Sequence, residues 1–167
     1  CLDTNSFKQG QLQVHKLRYV DEITFAERNA RLAPEAGDMV FAREGSVGES
    51  ILIPNGVEAC LGQRVMLFRF SKQVSNEFVR LSISSASFLD TLLALHKGIG
   101  AKHVNVGDVR LALIPLPPLP EQARIVARVE ELMRVCDALE ATGQRQAAHH
   151  RQLVQTLLGD LTAHSHT

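Results

Sequence analysis

With 167 residues, 45% of them hydrophobic and 22% charged, the chain can bury one ordinary core and an appendage, which excludes two full globular domains. No apolar run is long enough to span a bilayer, and the N-terminus lacks the pattern of a signal peptide. Cys1, Cys60 and Cys136 are too far apart for a metal cage or disulfide framework, so a cytoplasmic protein without membrane attachment is expected. A net charge of zero excludes a uniformly basic nucleic-acid binder, yet the charge is uneven: Lys+Arg against Asp+Glu stand at 6 to 9 over residues 1–59, 7 to 3 over residues 60–112 and 5 to 6 over residues 113–167. Cys1, in place of an initiator methionine, suggests a start inside a longer polypeptide or after processing.

Residues 1–14 read as a loop leading into an edge strand over 11–14. From 21 to 32 helix formers dominate, Phe25 and Leu32 share a face, and Pro34 and Gly37 stop the helix. Residues 39–42 form a short buried-looking strand, followed by a loop carrying Gly45 and Gly48. Residues 50–53, the turn Pro54-Asn55-Gly56 and residues 57–61 have the pattern of a hairpin, and 64–70 that of another strand. So many short strands with tight connections predict a small curved sheet, mostly antiparallel.

After Ser71 the apolar period changes. Phe78, Val79, Leu81 and Ile83, then Phe88, Leu89, Leu92 and Leu93, predict two short helices with Ser75 and Ser87 as N-caps. A basic loop follows at 96–103, freed by Gly98 and Gly100. Pro115, Pro117, Pro118 and Pro120 then stiffen an apolar run into an extended strut, and Pro120 suits the first turn of a helix. Beyond it Ile125, Val129, Leu132, Cys136 and Leu139 step by 4, 3, 4 and 3 residues, the seam of a coiled coil. That register runs on through Gly143, Gln146 and His150 to Leu153 and Leu157, so either one helix with a polar middle or two helices folded back at 142–143 would fit. A single arm of about 60 Å is the expectation. The fold class is therefore α+β, with a sheet-and-helix domain over 1–119 and a coiled-coil-like helical arm over 120–167.

Catalytic chemistry is sparse. Gly45-Ser46-Val47-Gly48 is not a nucleophile elbow, no phosphate-cradling glycine loop is present, and the histidine pairs near the C-terminus suit a solvated helix face better than a metal. No catalytic residue, metal ligand or cofactor site is expected on this chain. Binding chemistry is better represented. Lys97, Lys102 and His103 lie on a glycine-freed loop, Arg43 and Ser46 on another, and Gln63 and Arg64 open a strand. Arginine can pair bidentately with guanine and glutamine with adenine, while lysine suits phosphate.

Four pieces of the sequence fall in a telling order. They are Arg31-Leu32-x-Pro34-x-x-Gly37-Asp38-x-Val40-Phe41-x-Arg43-Glu44-x-x-Val47-Gly48-Glu49, then Cys60-Leu61-Gly62-Gln63-Arg64-Val65-Met66-Leu67, then Gly98-x-x-Ala101-Lys102-His103-Val104-Asn105-Val106, and last the junction Pro115-Leu116-Pro117-Pro118-Leu119-Pro120-Glu121-Gln122. Together they resemble the C-terminal half of the specificity subunit of type I restriction-modification systems, a target recognition domain with its helical spacer, over nearly all of residues 1–160. The resemblance implies a non-catalytic subunit that reads half of a bipartite double-stranded DNA site and docks DNA methyltransferase subunits, with a restriction and translocase subunit as a further partner. It makes Arg43, Ser46, Gln63, Arg64, Lys97, Lys102 and His103 DNA-facing, and Ile125, Val129, Leu132, Cys136 and Leu139 arm-pairing positions. A full subunit has two recognition domains and two arms, whereas this chain has one of each. A homodimer through the arm would rebuild the whole and read an inverted repeat. Two other readings stay open: an assembly module that no longer reads DNA, and a small hydrolase or transferase using Cys60 or Ser46.

Overall fold

Phe7–Lys8 (β1) and Gln11–Leu12 (β2) pair antiparallel across Gln9 and Gly10, whose φ values of 51° and 74° are those of a tight hairpin turn. The computed structural model describes residues 1–94 and 103–164. The strand expected over 11–14 ends at Leu12 because residues 14–16 tighten into a 3₁₀ turn. Glu22–Asn29 (α1) starts where the Asp21 carboxylate accepts the Thr24 N–H at 2.7 Å. It stops short of Leu32, which is left exposed, so the expected Phe25–Leu32 face does not form. Polar anchors hold the helix instead: Arg28 donates to the Leu61 carbonyl and Asn29 to that of Ala59.

Met39–Ala42 (β3) is the centre of the sheet, flanked antiparallel by Ser50–Leu52 (β4) and Val65–Phe68 (β5). Val40 stands opposite both Ile51 and Leu67. All four residues of β3 are fully buried, and the period of two gives each face its own core. Val40 and Ala42 pack with Leu2, Phe7, Ile51 and Ile53, whereas Met39 and Phe41 pack with Phe78, Val79, Leu92 and Val104.

The hairpin expected between 50–53 and 57–61 is absent, because the antiparallel partner of β4 is β3, reached through the 43–49 loop. Pro54 brings no N–H to a ladder, and the backbone after it is committed elsewhere. The Cys60 carbonyl accepts the Leu2 N–H at 2.8 Å, and Leu61 forms an isolated parallel bridge with Leu2.

Asn76–Ile83 (α2) begins at Ser75, whose hydroxyl accepts the Phe78 N–H at 3.2 Å, as expected. Ala86–Ala94 (α3) is capped by Ser85, which accepts the Phe88 N–H at 3.3 Å. Ser87 is not the cap; it lies inside the first turn, and its carbonyl accepts the Thr91 hydroxyl. Val106–Leu111 (α4) is a helix the sequence did not announce, since six residues are too few to show a period. The segment 112–118 leaves α4 with an extended Ala112 and has no regular secondary structure, and Leu119–His164 (α5) follows as one 46-residue helix with Pro120 in its first turn. The fold-back at 142–143 does not occur. Gly143 sits inside α5, where the roughly 1 kcal/mol it costs relative to alanine is carried by helix-forming neighbours. The chain forms two compact units, Cys1–Val126 and Ala127–Thr167, the first of which takes in the start of α5.

One buried carboxylate fixes the entry to β3. Asp38 accepts from Arg69 Nε at 2.9 Å and from a terminal nitrogen of the same guanidinium at 2.7 Å, and also accepts the Glu35 N–H at 2.8 Å. Burial alone would raise its carboxyl pKa; hydrogen bonds from Arg69 and Glu35, with the Arg69 charge, outweigh burial and hold it below the usual value. A folded-state pKa below that of the unfolded chain stabilises the fold above about pH 4, and the contribution is lost as pH falls through the folded value. Asp38→Asn should therefore lower stability at neutral pH and flatten its fall on acidification. Urea midpoints measured from pH 7 to pH 3 check this; parallel curves for both proteins would contradict it.

Candidate nucleic-acid interface

The C-terminal end of β3 and the N-terminal end of β5 bring several of the expected site residues together. Arg43 N–H donates to the Arg64 carbonyl at 2.9 Å and the Arg43 carbonyl accepts the Val104 N–H at 2.8 Å, while Glu44 bridges to His103. Arg43, Gln63, Arg64 and His103 therefore converge. The Arg43 guanidinium serves as a brace, its two terminal nitrogens donating to the carbonyls of Gln63 at 3.0 Å and Val104 at 3.4 Å, while Nε is buried without a hydrogen-bond partner. Gln63, Arg64 and His103 are exposed. Arg64 Nε stands 3.7 Å from the Glu44 carboxylate with both side chains well solvated, a pairing weak enough to be exchanged for another anion. Ser46 is exposed in the 43–49 loop, where its carbonyl accepts the Glu49 N–H. Lys97 and Lys102 lie outside the described residues.

Gln63 and Arg64 also line an open polar groove of about 1040 Å³, together with Lys16, Arg18, Tyr19 and Arg28. Lys16 closes the 3₁₀ turn, Arg18 lies just beyond it and donates to Asp3 at 2.5 Å, and Arg28 sits in the last turn of α1. Sequence reasoning passed over these residues because they belong to the acid-rich third of the chain. Most acids there are occupied elsewhere: Asp21 caps α1, Asp38 and Glu35 face Arg69, and Glu49 accepts the Gln9 N–H; of those named, Asp3 alone lines the groove, paired with Arg18. The signal that could have found them is the local run Lys16-Leu17-Arg18-Tyr19, basic residues interleaved with an aromatic. Four cations against the one carboxylate of Asp3, with the amide of Gln63, leave an open groove of net positive charge that suits a polyanion whose base edges also carry hydrogen-bonding groups.

Cys60 is wholly buried, which removes it as an accessible nucleophile. Among the described residues no three His, Cys, Asp or Glu side chains group as a metal cage, and no helix is long and apolar enough to cross a membrane. Of the expected arm positions, Ile125 packs into the core of the first unit, Val129 is half-buried, and Leu132, Cys136 and Leu139 are exposed on α5 with Met133 and Val135. The side chains of Leu153 and Leu157 lie outside the described residues.

Known proteins share this sequence and fold. The type I restriction enzyme EcoAI specificity subunit of Escherichia coli is 38% identical over 94 residues, 56% of this chain and 16% of that protein. The EcoKI specificity subunit of Escherichia coli strain K12 is 26% identical over 174 residues, 97% of this chain and 37% of that protein. The chain thus spans well under half the length of these curated relatives. The crystal structure of the HsdS subunit from Thermoanaerobacter tengcongensis aligns at a TM-score of 0.55 and 28% identity over 64% of this chain and 28% of that one. A chain from a study of complex assembly and conformational transition in the type I R-M system aligns at 0.58 over 71% of this chain and 28% of that one; at 22% identity it shows the shared fold. The family model for the type I restriction modification DNA specificity domain matches residues 8–149, which takes in the three-stranded sheet, every cation of the groove and most of α5. On that match the chain belongs to the type I restriction modification DNA specificity domain family, the family of its specificity-subunit relatives.

Proposed function

We propose that the first unit reads one half of a bipartite double-stranded DNA site, using the groove lined by Lys16, Arg18, Arg28, Gln63 and Arg64, with Ser46 and His103 beside it. The observation that carries this reading is the groove itself: its basic residues come from three separate stretches of chain, while the net charge of the whole protein is zero. Lys97 and Lys102 extend the same basic character by sequence, and Arg43 takes the role of a brace that sets Gln63 in place. The chain makes and breaks no bond. It places DNA methyltransferase subunits over their target, and a restriction and translocase subunit joins the same assembly. Val129, Leu132, Cys136 and Leu139 on α5 pair with a second arm, while Ile125 at its base serves the core of the first unit, so that two copies read an inverted repeat.

The test is to combine the purified chain with the methyltransferase subunit of its own system and select bound duplexes from a random pool at two salt concentrations. A split, inverted motif is the expected result. Unenriched DNA bound by a stable protein complex would replace this reading with that of an assembly module.

A further inference from the structure

Tyr19 is the only tyrosine in the chain and is 87% exposed. It belongs to neither core and stands in the wall of the groove beside Arg18, Arg28 and Arg64. The segment that carries it, residues 17–20, has no regular secondary structure and is fixed at both ends. On one side Leu17 packs against the first core and its N–H donates to Val14 at 3.2 Å. On the other, Asp21 is committed to capping α1 through the Thr24 N–H and hydroxyl. Arg18 is tied to Asp3 between them. A ring displayed from so short and pinned a strap loses little freedom when it meets a surface.

The chemistry of its neighbours sorts the roles within the groove. Lys16, Arg18 and Arg64 are long, solvated cations, suited to phosphates, which carry no sequence information. An aromatic face with one hydroxyl gains little from a phosphate that such cations already neutralise. It gains far more against the face or edge of a base, where apolar surface is covered and the hydroxyl finds a donor or acceptor. We infer that Tyr19 is a specificity-determining residue of the recognition unit, contacting bases of the bound half-site while the surrounding cations hold its phosphates.

This rests on the DNA-reading role proposed above, and the experiment separates the two. The complex of chain and methyltransferase subunit is put through duplex selection as wild type, Tyr19→Ala, Tyr19→Phe and Lys16→Gln, and the affinity of each for the wild-type motif is measured across salt. With Tyr19→Ala, base preference should collapse at one or two adjacent positions, discrimination there falling by about 10-fold, while the salt dependence is unchanged. Lys16→Gln should weaken every sequence alike and lower the salt slope by about 1. Tyr19→Phe assigns the contact: retained preference places it on the ring, lost preference on the hydroxyl, and either supports the inference. A Tyr19→Ala complex that keeps every base preference of the wild type, even at uniformly lower affinity, would overturn it. A wild-type complex that enriches no motif would overturn the DNA reading itself and Tyr19 with it.

Discussion

Replacing Lys16, Arg18 and Arg64 together with glutamine should weaken DNA binding by about 500-fold at 0.1 M salt relative to a 1 M reference, and lower the slope of log affinity against log salt by about 3, on the basis of roughly 0.9 counterions released per neutralised phosphate. The three side chains are exposed and line one groove, so a single duplex can reach them all. The fold should survive. The side chain of Arg18 is 74% exposed in its pair with Asp3 and that of Arg64 61% exposed in its pair with Glu44, and such pairs contribute at most about 1 kcal/mol. Arg28 is left in place because it also holds the Leu61 carbonyl. Fluorescence anisotropy with the selected duplex, at four or more salt concentrations, gives both quantities. An unchanged slope would mean that the phosphates pass over some other surface.

Gln122→Ala should destabilise the first unit by about 3 kcal/mol, the largest single-residue effect expected here. Gln122 is only 1% exposed, although it is polar and lies within a turn of the start of α5. Its carbonyl oxygen accepts the Ser75 N–H at 2.8 Å and its amide nitrogen donates to the Pro117 carbonyl at 2.7 Å. One side chain therefore joins the cap of α2, the proline-stiffened segment and the first turns of α5. Truncation removes the partner of a part-buried N–H and a part-buried C=O, for which full burial would cost about 1–3 kcal/mol each, and leaves a void where the buried side chain was. Urea denaturation monitored by circular dichroism measures the loss. Gln122→Glu is informative beside it, since a carboxylate keeps the acceptor for Ser75 but presents no donor to Pro117. Its deficit should shrink on acidification, as the protonated acid regains that donor. A loss under 1 kcal/mol for Gln122→Ala would mean that water replaces the amide at both positions.

Legibility in the sequence followed the strength of the local physical signal. Buried β3 was visible in four successive residues that favour strand or core, and the start of α5 in prolines followed by Glu121 and Gln122. Ser75 was recognisable as a cap, whereas among four near-identical positions, Ser82, Ser84, Ser85 and Ser87, only the three-dimensional course of the chain selects Ser85. The turn at Asn55-Gly56 was genuine, with Gly56 at a φ of 78°, yet the strand expected after it was not, because Cys60 and Leu61 are claimed by Leu2 at the far end of the sequence. Nonlocal pairing of that kind leaves no periodic trace. The candidate site was legible in part. Gln63, Arg64 and His103 are exposed and lie near one another, but Arg43 is occupied by main-chain carbonyls, and Lys16, Arg18 and Arg28 were obscured by acids that the fold mostly turns to other tasks.

Val47 packs against the second of the two cores between which β3 divides its side chains, but the exposed tip of the loop, Gly45 and Ser46, belongs to neither. Residues 43–49 join β3 to β4, and the turns on either side are paid for by strand pairing already complete at Ala42 and Ser50. Drift in the exposed positions Gly45 and Ser46, or at Arg18 and Tyr19 on the strap, leaves both cores their full apolar complement. A lineage carrying this unit can thus exchange one surface segment at a time and inherit an intact scaffold at every step, the condition under which new targets arise by small heritable changes rather than by wholesale replacement.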